Sequence, residues 1–106
     1  MKTYDLYGFR HWDLEAARVA VEHALNIRLI PHYSSYIGDY YRLDTIGEES
    51  FELRKNIDPL DNEPAEQEFP EIGVLLYVEG TDRAEEIEHI LTTKIPELRL
   101  LRRRKI

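Results

Sequence analysis

The sequence predicts an α+β fold: a ferredoxin-like two-layer sandwich of about six mainly antiparallel strands with two helices on one face. Three observations carry this prediction. Two segments repeat apolar residues at helical spacing along a single stripe, so each has one face to bury against a sheet. Short alternating or β-branched runs, separated by Gly and Pro, supply the strands around them. The order strand, helix, three strands, strand, helix, strand contains two βαβ-like halves. At 106 residues the whole chain, residues 1–106, is one domain with a single core.

Tyr4, Leu6 and Gly8 alternate with Asp5, Tyr7 and Phe9, the period of a first strand. Asp13 is a good N-cap for a helix whose buried stripe is Leu14, Ala17, Val21, Ala24 and Leu25, with Glu15, Arg18 and Glu22 turned outward; it ends near Asn26. Ile27–Tyr33 reads as a strand, and Pro31 inside it asks for an edge or a bulge because proline cannot donate to a ladder. Gly38-Asp39 and Gly47 punctuate two further strands around Tyr40–Leu43 and Phe51–Leu53.

Residues 56–71 hold three prolines and six acids and keep no period, so they form a loop. A loop this long in a small domain is more often functional than idle. Val74–Val78 is a continuous aliphatic run, the mark of a strand buried on both faces at the sheet centre. Thr81 is expected to cap a second helix with Ala84, Ile87, Leu91 and Ile95 inward, stopped by Pro96. Leu98–Leu101 is the last strand, and residues 102–106 form a basic C-terminal tail that pairs with nearby carboxylates or stays mobile.

Hydrophobic residues at 42% and charged residues at 33% describe a folding globular chain rather than a disordered one. With no cysteine there is no disulfide framework, thiolate nucleophile or thiolate zinc site. The longest uncharged apolar stretch, Ile72–Val78, is far below the roughly 20 residues of a membrane span, and the N-terminus lacks a secretory h-region. The expectation is a cytoplasmic protein with no membrane partner.

The net charge of −7 argues against nucleic acid as a ligand. Arg99, Arg102, Arg103, Arg104 and Lys105 concentrate five positive charges at the C-terminus, which leaves −12 on residues 1–98. Within that body, residues 44–71 carry −8. Such a field repels phosphate backbones and speeds encounter with a basic partner. Its structural reading is a solvated face that aids solubility.

Catalysis requires a nucleophile or acid/base pair placed by its neighbours, and no motif supplies one. His23 and His89 lie on the two helices without a second histidine four residues away. His11 beside Trp12, and His32 beside Ser34 and Ser35, could serve as bases, yet no Gly-x-Ser-x-Gly elbow accompanies them. No catalytic residue is assigned. Asp58, Asp61 and Glu63 lack the ligand alternation and glycine of a calcium loop, and no metal or cofactor is expected.

Tyrosine is the unusual residue: seven in the chain, with Tyr33, Tyr36, Tyr40 and Tyr41 inside nine positions. Neighbours on a strand point to opposite faces, so Tyr40 and Tyr41 cannot both point inward. A large ring with a hydrogen-bonding tip is a favoured interface anchor.

Several strings together, Tyr4-Asp5-Leu6-Tyr7-Gly8-Phe9, Ser34-Ser35-Tyr36 running into Gly38-Asp39-Tyr40-Tyr41-Arg42, Phe69-Pro70-Glu71, and Val74-Leu75-Leu76-Tyr77-Val78 before Gly80-Thr81, resemble small bacterial immunity proteins of contact-dependent growth inhibition systems. That resemblance implies a cytoplasmic protein that binds and neutralises one cognate toxin domain, often a nuclease, by covering its active site or substrate groove. It carries over no individual functional residue. Charge and aromatic exposure then nominate Asp58, Asp61, Glu63, Glu66 and Glu68 as an acidic contact loop facing a basic toxin surface, with Tyr36, Tyr40 and Tyr41 as anchors. The alternative is a ferredoxin-like module that binds a small ligand or self-associates as a regulatory domain.

Overall fold

The structure is a computed structural model that describes residues 2–106. Its elements are β1 (Thr3–Phe9), α1 (Leu14–Leu25), β2 (Ile30–Ser34), β3 (Gly38–Asp44), β4 (Ser50–Lys55), β5 (Val74–Thr81), α2 (Ala84–Lys94) and β6 (Arg99–Lys105). The strands form one sheet in the order β2-β3-β4-β5-β1-β6, with every pairing antiparallel. The α+β class expected from the sequence is therefore present, as a six-stranded antiparallel sheet with two helices.

Local chemistry sets the ends of α1. The Asp13 side chain accepts a hydrogen bond from the Ala16 N–H at 2.7 Å, and Asn26 closes the helix in the left-handed region at φ 55. The chain stays tied to the helix beyond that point: the Ile27 N–H donates to the Glu22 carbonyl and the Leu29 N–H to the Glu22 carboxylate. The strand expected from Ile27 consequently starts at Ile30. It lies at the sheet edge, where Pro31 is tolerated.

Two expectations are corrected at the other end of the chain. Thr81 is the last residue of β5 and Arg83 holds the cap position of α2. Gly80, at φ +69 with the Glu48 carbonyl 2.5 Å from where a Cβ would stand, lets β5 run that far. Thr81 still serves the turn, accepting from the Arg83 N–H and donating to Glu49. The last strand, expected over Leu98–Leu101, continues to Lys105. Arg102 and Arg103 of that segment are held by carboxylates on opposite faces of the sheet, through Glu66 on one side and Asp5 with Glu88 on the other.

Alternation along β1 divides two cores. Tyr7 and Phe9 join Phe51, Leu53, Val74, Leu76 and Val78 beneath the buried stripes of α1 and α2. Leu6 and Leu75 point to the opposite face, where Ile72, Phe69 and Ala65 of the 56–73 loop cover them. Gly8 permits this second layer: a Cβ there would stand 2.7 Å from Ile72 and 2.8 Å from Leu101. β5 is thus buried from both sides, as its aliphatic run predicts. Among the described residues no helix is long and apolar enough to cross a membrane.

Candidate binding surface

The acidic loop is an Ω-shaped excursion whose base is closed by the Asn56 N–H donating to the Gly73 carbonyl at 2.9 Å. Asn56 organises its interior. The buried side-chain amide donates to the carbonyls of Phe69 and Ile72 at 2.8 and 2.9 Å, while its oxygen accepts from the Glu66 N–H at 2.8 Å. Three separate points of the loop therefore converge on one side chain. Phe69 and Ile72 then seat the returning limb on the sheet.

Glu66 faces inward from this loop. Its carboxylate accepts from the Tyr77 hydroxyl at 2.5 Å and pairs with Arg102 at 3.1 Å. Burial raises the Glu66 carboxyl, but the Tyr77 hydroxyl and Arg102 outweigh it and hold the group below its ordinary range. Tyr77 is pushed well above the usual phenol range by burial first and by Glu66 second. Glu68 lies beyond, exposed and 3.9 Å from Arg102.

The tip points the other way. The Asp58 N–H donates to the Glu63 carbonyl at 2.7 Å and the Asn62 N–H to the Asp58 carbonyl at 2.8 Å. Asp58 and Asp61 each also accept a backbone N–H two residues on, from Leu60 and Glu63 respectively. No ion pair among the described residues uses Asp58, Asp61 or Glu63. Between them in sequence Leu60 stands 68% exposed. Residue type alone did not single out Leu60; its place between two Asp turn signals was the available clue.

The tyrosines separate as strand geometry demands. Tyr36, at 72% exposure, occupies the turn joining β2 and β3. Tyr40 stacks on His32, ring centroids 5.3 Å apart, on the face shared with Arg54. Tyr41 turns to the helix face, where its hydroxyl donates to Glu15 at 2.7 Å and the Arg18 guanidinium lies 5.5 Å from the ring centre. The hydrogen bond to Glu15 raises the Tyr41 phenol above its usual range. Tyr33 also stands out at 74% exposure.

Register brings hairpin and loop together. Tyr40 pairs with Arg54, and β4 ends at Lys55 just before the loop departs, so the Tyr36 turn and the loop base occupy the same end of the sheet. Arg54 of β4 reaches the Ile57 carbonyl at 3.3 Å and ties the loop base to that strand. Of the nominated residues, Tyr36, Tyr40, Asp58, Asp61 and Glu63 belong to this end and its loop tip, Glu66 to the loop's inner side, and Tyr41 to the opposite face. Neither the models of known protein families nor the curated proteins gave a match to this chain.

Proposed function

We propose that this chain is a cytoplasmic protein-binding module that neutralises a cognate bacterial toxin domain, in the manner of the immunity proteins it resembles. The reading rests on one observation above others: the tip carboxylates of Asp58, Asp61 and Glu63 enter no ion pair among the described residues, flank an exposed Leu60 in sequence, and stand on a loop that Asn56 and Glu66 already hold in shape. A preformed acidic limb loses little conformational freedom on docking and is complementary to a basic groove. A nuclease presents such a groove, because it must hold phosphates. Tyr36 and Tyr40 supply the adjoining aromatic area, and Glu66 acts as the strut behind the contact. The order β6-β1-β5-β4, crossed by α1 and α2, supports a ferredoxin-like core to which β2 and β3 are added as a hairpin.

The test is growth rescue. The candidate toxin is the one encoded immediately beside this chain's gene, expressed with the wild type or with a variant carrying Asp58→Asn, Asp61→Asn and Glu63→Gln. Wild type restores growth and binds the toxin; the variant associates about tenfold more slowly at low salt, and the difference shrinks as salt rises. No rescue and no binding by wild type overturns the function. Equal rescue and equal association rates overturn the assignment of the tip.

A further inference from the structure

On the far side of the sheet from the hairpin, a cleft of about 430 Å³ opens where the end of β1, the end of the loop and the start of β6 meet. Its apolar lining comes from Trp12, Ile72, Leu100 and Leu101. The absence of a side chain at Gly8 lets Ile72 and Leu101 close over β1 and form part of that surface. Arg10 and Arg99 line the same cleft, as do Glu71 and Glu97.

Five of the ten arginines, Arg10, Arg28, Arg54, Arg99 and Arg104, enter no ion pair among the described residues, and the cleft brings two of them to one apolar surface. Arg18, Arg42, Arg83, Arg102 and Arg103 each bridge two carboxylates. Arg10 and Arg99 enter no ion pair among the described residues, although two carboxylates share their cleft and enter none either. Opposite charges that leave each other unpaired around an apolar surface match a ligand with its own separated charges and an apolar body. Guanidinium binds carboxylate through paired N–H donors, carboxylate binds ammonium, and the apolar lining takes a hydrocarbon chain.

We propose that this cleft binds a small zwitterion with an apolar side chain, a free α-amino acid of the leucine or phenylalanine kind. The site is independent of the toxin-binding reading, since it lies at the opposite edge of the sheet from β2 and uses none of the tip residues.

Trp12 is the single tryptophan, so its emission reports on the cleft directly. The full-length protein is titrated with L-leucine, with hexanoate, which lacks the ammonium group, and with hexylamine, which lacks the carboxylate. Leucine is expected to give a saturable change and to bind at least about tenfold more tightly than either single-charge probe, the worth of one lost charge-assisted contact. A variant with Arg10→Gln and Arg99→Gln, both exposed positions, keeps its fold by circular dichroism and loses the leucine response. The absence of a saturable response to leucine overturns the proposal, as does equal binding of hexanoate, or a leucine response that survives in the variant.

Discussion

The two halves of the sheet differ in what covers them. β5, β1 and the adjoining part of β6 lie between the helices on one side and the 56–73 loop on the other, and β5 alone contributes Val74, Leu75, Leu76 and Val78 to the two cores. β2 and β3 form a hairpin at the margin of that cover: neither strand contains a fully buried residue, and only Tyr41 and Leu43 of β3 pack against the helix-side core. Stability resides in the first half, where apolar area leaves water; exposed tyrosines and the tip carboxylates lie on the second and on the loop beside it. The exposed hairpin side chains, Tyr33 and Tyr36, can change at little cost to folding, while changes in the covered half propagate through packed neighbours.

The largest expected effect comes from the ion pair inside the covered half. The Asp5 side chain is fully buried, 2.8 Å from Arg103, which also reaches Glu88 at 3.0 Å. Arg103→Met strands that carboxylate and should cost about 3 kcal/mol or more in urea denaturation. A loss under about 1 kcal/mol would remove this pair from the account of why β6 is held. Asn56→Ala comes next, at about 2 kcal/mol, because it leaves backbone groups of three loop positions without their partner. Hydrogen exchange at the Glu66 amide should accelerate selectively; unchanged protection there would show that the loop is held by Phe69 and Ile72 alone.

Acid sharpens the contrast further. Since the fold holds the Glu66 carboxyl below its ordinary range, its contribution is present above the unfolded value of about 4.3 and is lost as pH falls through the lower folded value. Loop amides should therefore lose protection in that window before β5 amides do, and Glu66→Gln should flatten the difference. Simultaneous protection loss in loop and β5 would mean the two unfold as one unit. The smallest effect belongs to the hairpin: Tyr33→Ser with Tyr36→Ser should leave stability within about 0.5 kcal/mol of wild type. A larger drop would mean that the hairpin is tied to the core more tightly than its exposure indicates.

Much of this division was legible in the residues themselves. Asp13, the α1 stripe and Asn26 marked a helix with both ends, Pro31 marked an edge, and Val74–Val78 marked the centre. Thr81 misled because a Thr followed by acids imitates a cap, while the strand-extending role of Gly80 depends on the Glu48 carbonyl beside it, brought there by the fold. The basic segment after Leu101 gave no strand period; it joins the sheet by pairing with β1, and its arginines meet Asp5 and Glu66, far away in the chain. Asp5 carried a usable hint, since alternation placed it on the same side as Tyr7 and Phe9 and a carboxylate there needs a partner.

The sequence by itself determined the α+β class, the buried faces of both helices, the central strand and the existence of an acidic loop, because each follows from periodicity and turn chemistry within a few neighbouring residues. Only the tertiary structure decided which carboxylates face outward. Glu66 and Glu63 are three positions apart with the same side chain, yet one is drawn beneath the loop by Tyr77 and Arg102 and the other is left at the tip. The partners of Glu66 come from β5 and β6, the Glu63 carboxylate has none among the described residues, and no local pattern encodes a neighbour that chain folding alone brings near.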